Sequence, residues 1–164
     1  MTLDEFVGLS AALTGYDADV LKPSADTQRV SEALYAELSN PDNKISPAQL
    51  QQLTDTWNAI AHTPAAQLED QVWQQIVQNP AINRLAQNII YMWYLGIWYD
   101  LGKNPNSFAT PNNDHVVSSV AYINGLVWGE MGAHPMGFST GDYGYWAHTP
   151  TLPAINAVSA AVLK

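Results

Sequence analysis

Residues 137–141, Gly-Phe-Ser-Thr-Gly, match the G-x-S-x-G pattern that places a nucleophilic serine, here Ser139, on a sharp strand-to-helix turn. Asp142 and His148 follow in the chain order of a hydrolase triad. That device works above a parallel sheet, and no alternation of strand and helix patterns precedes it. We therefore read a Gly-rich loop that matches by chance, and keep a serine hydrolase built on Ser139 as the alternative. The histidines, His62, His115, His134 and His148, are scattered, and no two stand four residues apart on one helical face. With no cysteine beside them, a metal site would require long-range convergence, so surface or supporting roles are the expectation. The acidic pairs Asp4-Glu5 and Glu69-Asp70 stand near helix starts, where carboxylates complement the helix dipole. Neither a G-x-G-x-x-G turn nor a P-loop occurs, so a nucleotide cradle is not written in the chain. The sequence reads as one that catalyses nothing by itself.

Composition narrows the partners. Six Lys and Arg against fifteen Asp and Glu leave a net charge of −9. Such a chain is repelled by phosphate backbones and anionic lipid surfaces, which excludes nucleic acid as the expected partner. Only 13 % of residues are charged, while Asn, Gln, Trp and Tyr are frequent. That is a neutral, polar and adhesive surface, closer to an exported subunit than to a soluble cytosolic enzyme. At 164 residues the chain is long enough to bury a core of its own as one domain.

The elements that must carry these residues are helical through the first hundred positions. Thr2 with Glu5 forms a capping box, Phe6, Leu9 and Leu13 keep helical spacing, and Gly15 stands where a helix-ending glycine belongs. A second helix is expected over 24–38, with Val30, Ala33, Leu34 and Leu38 buried. Ser46-Pro47 starts a third, carrying Leu50, Leu53, Trp57 and Ile60. A short helix over 68–77 ends at Asn79, and Asn79-Pro80 opens a long one. After Asp100 the chain turns to Gly, Asn, Pro and Ser, the chemistry of loops. Asp114 is the expected cap of a helix through Val116, Val117, Val120 and Ile123 that stops at Gly125, although Asn124-Gly125 is equally the signature of a hairpin. Beyond Trp128 no period fits. The expected organisation is thus a mostly α single domain: a small helical bundle over 1–101, then a loop, one helix and an extended, irregular C-terminal arm over 102–164.

The long helix carries the most unusual feature. Ile82, Leu85, Ala86, Ile89, Trp93 and Gly96 share one core-facing stripe. The opposite face opens with Arg84, Gln87 and Asn88 and continues as Tyr91, Tyr94, Leu95 and Trp98. From Ile89 to Tyr99 no residue is charged or bears an amide side chain. Eleven residues at 1.5 Å rise span only about half of a ~30 Å hydrocarbon core, so the run is no membrane span. Either the chain's own later segment or a different chain covers that aromatic face.

Three stretches bear a family resemblance. Leu3-Asp4-Glu5-Phe6 with Leu9-Ser10 and Leu13-Thr14-Gly15 resembles the opening of the mature small subunit of bacterial membrane-bound FAD-dependent sugar and polyol dehydrogenases, the sorbitol, fructose and glucose dehydrogenase complexes. Trp93-Tyr94-Leu95-Gly96-Ile97 resembles that family's A-W-Y-x-G-[IV] signature, and Tyr145-Trp146 with Pro150 resembles its closing aromatic-Trp-x-x-x-Pro element. The resemblance implies a subunit without an active site that binds, stabilises and escorts a large flavoprotein subunit. In that picture the partner holds the FAD and oxidises the sugar, and a multihaem cytochrome c subunit passes the electrons on. It further implies export by a twin-arginine signal, a mature chain from which the signal is gone, and a periplasmic place on the membrane held through the complex without direct insertion. The chain departs from the family pattern in a longer loop between Asp100 and Tyr122, in Val116-Val117-Ser118-Ser119-Val120-Ala121-Tyr122 where relatives carry an acidic helix, and in lacking the cysteine that some relatives place before the closing element. Any association is therefore expected to be non-covalent.

The expected work is binding, with Tyr91, Tyr94, Trp98, Trp128, Tyr143, Tyr145 and Trp146 as the contacts to the partner. Besides the hydrolase, a self-contained helical module holding a small apolar ligand between its helices stays open as a third reading.

Overall fold

In the computed structural model, residues 1–101 and 113–138 are described. The first helix, α1 (Leu3–Thr14), has both ends encoded locally. The Thr2 hydroxyl accepts from the Glu5 amide at 3.2 Å, the Glu5 carboxylate accepts from the Thr2 amide, and Gly15 closes the helix at φ +79°. Its buried Phe6 and Leu9 form the middle of the core. The short α2 (Ala18–Leu21) follows and is tied back by a Lys22–Asp4 ion pair of 2.7 Å, an exposed contact of little energetic weight.

The second expected helix is shorter than its sequence pattern. α3 runs Val30–Glu37, because the Asp26 carboxylate accepts from the Gln28 and Arg29 amides at 3.0 and 2.7 Å and holds the preceding residues in a turn. A 3-10 turn (Pro41–Asn43) leads to α4 (Pro47–Ile60), which starts at Ser46 and Pro47 as its sequence signals predict. Ser46 and Gln49 complete a second capping box there. The expected 68–77 helix starts three residues earlier and ends where expected: α5 covers Ala65–Val72 and passes into a π-helical turn, Trp73–Val77, in which the Gln78 amide reaches the Trp73 carbonyl at 2.9 Å.

The long helix is bounded more tightly than its apolar run. The Asn79 side chain accepts from the Ala81 amide at 3.1 Å and caps a separate turn, so α6 begins at Asn83 and not at Pro80. It ends at Leu95, where Gly96 turns left-handed at φ +65°. Ile82, Leu85, Ala86, Ile89 and Trp93 are buried as the stripe predicts, and Phe6 stacks on Trp93 with ring centroids 6.2 Å apart. Gly96, read as a member of that stripe, is instead the point at which the chain reverses. Past it, β1 (Ile97–Trp98) pairs antiparallel with β2 (His115–Val116), matching Ile97 to Val116 and Trp98 to His115.

The last described elements are α7 (Ser119–Ile123) and α8 (Leu126–Glu130). Ser118, not Asp114, caps α7, its hydroxyl accepting from the Ala121 amide at 3.0 Å. Asn124-Gly125 joins two helices, so the hairpin alternative does not form. Gly125 sits there because a Cβ would come within 2.6 Å of the Tyr94 carbonyl oxygen. The protein is mostly α, with α1 and α6 packed together at its centre, α3, α4 and α5 against α1, and α7 and α8 against α6.

Candidate binding surface

The aromatic face of α6 is divided by the chain's reversal at Gly96. Residues 97–100 return along the helix, and the Asn88 side chain, placed by sequence on the wet face, is turned inward. It accepts from the Tyr99 amide at 3.0 Å and donates to the Tyr99 carbonyl at 2.7 Å, as a neighbouring strand would. Trp98 is consequently not on the helix at all. It lies on β1 with no exposed surface, enclosed by this chain. Tyr94 is half-buried, its ring edge-on to Tyr16 at 6.3 Å and its hydroxyl donating to the Thr14 carbonyl at 3.3 Å. Tyr91 stands out, 42 % exposed, with Tyr99 edge-on against it at 4.9 Å.

Trp128 is half-buried and inward-tied, its indole N–H donating to the Tyr122 carbonyl at 2.7 Å. Glu130 on the same helix accepts from the Tyr16 hydroxyl. That bond, together with burial and the nearby charge, pushes the phenol pKa up to about 12 and fastens α8 beside the end of α1. The remaining expected contacts, Tyr143, Tyr145 and Trp146, lie outside the described residues, as do Ser139, Asp142 and His148 of the hydrolase alternative. Among the described residues, the only strands are the two antiparallel pairs of residues in β1 and β2, so no parallel sheet stands behind residues 137–138.

Sequence reasoning missed one exposed aromatic. Trp73 is 55 % exposed at the rim of a cleft of about 300 Å³ whose lining includes Leu13, Val72, Val77 and Ile90. The signal was present: Leu68, Val72 and Ile76 form the inward i, i+4, i+8 stripe, and Trp73 falls one residue off it.

It also missed a polar clasp. The Glu37 carboxylate accepts from His115 Nε2 at 2.9 Å, from Asn40 Nδ2 at 2.8 Å and from Asn43 Nδ2. His115 Nδ1 faces the Asn113 carbonyl at 2.7 Å. With an acceptor at each ring nitrogen, the imidazolium is the form that satisfies both. Burial works against the charge, but the Asn113 carbonyl and the Glu37 and Asp114 carboxylates outweigh it and hold the pKa above the usual histidine value. Asn113 Nδ2 donates to the Asp42 carbonyl and to Asn43 Oδ1, and Asp100 meets Asn113 and Asp114 through backbone amides. The clasp thus pins β2 to the end of α3. His134 bonds its neighbour Pro135 and His62 is exposed, so among the described residues His62, His115 and His134 do not converge. Among the described residues no three His, Asp or Glu come together as a metal site.

The described residues do not fit an FAD site. A dinucleotide pyrophosphate sits where a Gly-rich turn leads from a strand into a helix N-terminus. Here Gly15 and Gly96 close helix C-termini, where exposed carbonyls repel phosphate, and Gly125 opens a helix of only 5 residues that is reached from a helix and not from a strand. Haem c attachment uses a C-x-x-C-H pair of thiols, and the chain has no cysteine.

Among the described residues, no helix is long and apolar enough to cross a membrane. Comparison with curated proteins and with solved structures gives no match. A family model described as membrane-bound FAD-containing D-sorbitol dehydrogenase matches residues 1–150. That span takes in the opening motif, the α6 signature and the closing Tyr145-Trp146 element with Pro150, and the chain therefore belongs to the membrane-bound FAD-containing D-sorbitol dehydrogenase family.

Proposed function

We propose that this chain is the non-catalytic small subunit of such a dehydrogenase, which binds the FAD-containing catalytic subunit, stabilises it and escorts it to the periplasm by a twin-arginine route. The observation that carries the reading is the combination of a family match over 1–150 with described residues that do not fit an FAD cradle. A family member that does not hold the flavin contributes by holding the chain that does. On this reading a multihaem cytochrome c subunit completes the complex, and the complex supplies the membrane attachment. The sugar or polyol oxidised is a property of the catalytic subunit.

Of the aromatics available for contact, Tyr91 is the most exposed on α6, and Tyr143, Tyr145 and Trp146 add to it on this reading. Trp98 leaves the set because its own chain encloses it. The stabilising role is tested by heating the FAD-containing catalytic subunit with and without this chain and following loss of flavin fluorescence quenching and of dehydrogenase activity. The expected result is a longer half-life with the wild-type chain, and a several-fold smaller gain with Tyr91→Ala at the same concentration, since loss of an interface tyrosine commonly costs about 1–2 kcal/mol. An unchanged half-life with a saturating excess of wild-type chain contradicts the role.

A further inference from the structure

We propose that the groove between α1, the α5–π segment and α6, with Trp73 at its rim, docks an apolar side chain of the FAD-containing catalytic subunit that is flanked by Arg or Lys. The inference rests on the binding role proposed above and adds the surface and the chemistry of what meets it.

The apolar part of the argument is geometric. Ala12 and Leu13 of α1, Val72 and Val77 beside the π turn, and Ile90 of α6 line a cleft of about 300 Å³. Trp73 borders it with more than half of its surface in water. Leaving the largest side chain of the chain exposed forfeits hydrophobic stabilisation that an inward-facing Trp would gain. The π-helical geometry beneath it is a less favourable backbone than α and is found mostly where a side chain must be aimed for function.

The charge part selects the partner. Glu69 and Asp70 stand on the rim, and Asp17 joins Glu69 on the wider cleft of about 670 Å³ between α1 and α5. Among the described residues, no Lys, Arg or His lines either cleft. The ion pairs of Lys22, Arg29 and His115 are made elsewhere, with Asp4, Glu32 and Glu37, and none of these reaches Glu69 or Asp70. An apolar cleft with an acidic rim, on a chain of net charge −9, repels a second copy of itself. It complements an apolar side chain set between cations, one of which finds the exposed face of the Trp73 indole.

The test replaces Trp73 by the photo-crosslinking amino acid p-benzoylphenylalanine in the full chain, co-expressed with the FAD-containing catalytic subunit. Affinity is measured in parallel for Trp73→Ala and for Glu69→Gln/Asp70→Gln at low and high salt. The expected crosslink falls on a catalytic-subunit peptide with an apolar residue next to Arg or Lys. Trp73→Ala is expected to bind at least about tenfold more weakly. The double amide variant is expected to lose most of the salt dependence that the wild type shows. It changes only exposed carboxylates, so it reports even if Trp73→Ala folds poorly. Crosslinking to the chain's own residues, to a second copy, or wild-type affinity in both variants overturns the inference while a wild-type complex still supports the binding role. Failure of the wild-type chains to associate overturns both.

Discussion

Gly96→Ala is expected to remove most of the stability of this chain, whereas Gly15→Ala costs only about 1–2 kcal/mol. Both glycines end a helix in the left-handed region, at φ +65° and +79°. A Cβ in that conformation costs roughly 1–2 kcal/mol by itself. At Gly15 the added methyl meets nothing within 4 Å. At Gly96 it would lie 2.5 Å from the Tyr122 backbone nitrogen and 2.6 Å from the Tyr122 Cα. Backbone cannot rotate aside as a side chain can, so α7 would have to leave α6, and Gly125, whose own approach is to the Tyr94 carbonyl, would go with it. We expect a loss above about 4 kcal/mol, against the ~5–15 kcal/mol by which domains of this kind are stable. Urea denaturation of the two variants measures the difference directly. Equal losses at both sites would refute the close approach of α7. This contact gives a physical reason for glycine in the Trp93-Tyr94-Leu95-Gly96-Ile97 signature: the residue ends α6 and leaves room for the next helix to touch it.

The second large effect is expected at Glu37. Its carboxylate, 11 % exposed, is the common acceptor for His115, Asn40 and Asn43. Glu37→Leu would leave the buried Asn43 amide and the His115 ring short of a partner, at a cost of about 3 kcal/mol. The loss should appear as detachment of β2 and α7, seen as faster amide exchange there than in α1. The same clasp gives stability a pH dependence of definite sign. Because the His115 pKa is raised, the folded chain binds the proton more tightly than the unfolded chain. The stabilisation is therefore complete below the ordinary histidine value of about 6.5 and is lost as pH rises through the folded-state value. The groups facing the ring are Glu37 from α3 and Asp114 and the Asn113 carbonyl from its own segment. His115→Gln should flatten the denaturation midpoint across that window. A midpoint that rises with pH there, or an unchanged slope in His115→Gln, would rule the clasp out as its source.

The legible parts of this molecule are those encoded within four or five residues. Thr2 with Glu5, Gly15, and Ser46 with Pro47 each act on the backbone beside them, so the ends of α1 and the start of α4 read directly from sequence. The buried stripe of α6 was legible for the same reason, since periodicity is a local property. What failed depends on where the chain goes next. Asn88 looked solvated because nothing in its neighbourhood says that Tyr99 will return to pair with it. Trp98 looked like helix surface until the turn at Gly96 carried it onto β1. Asp26 shortened α3 by a side-chain turn that outcompeted helix propensity. Of the candidate surface, Tyr91 was found by its position opposite the stripe, while Trp73 was passed over although the same rule exposes it. The Glu37–His115 pair spans 78 positions and has no local signature.

The central claim, that this chain serves a flavoprotein without holding the flavin, is tested most directly by co-expressing it with the FAD-containing catalytic subunit and purifying through a tag on this chain alone. The account predicts a yellow complex of fixed composition in which denaturation releases FAD and mass spectrometry of the native subunits assigns all of it to the catalytic partner. A tagged chain that purifies by itself as a stable colourless monomer, with the flavin left in the unbound fraction, or one that carries FAD without the partner, would contradict it.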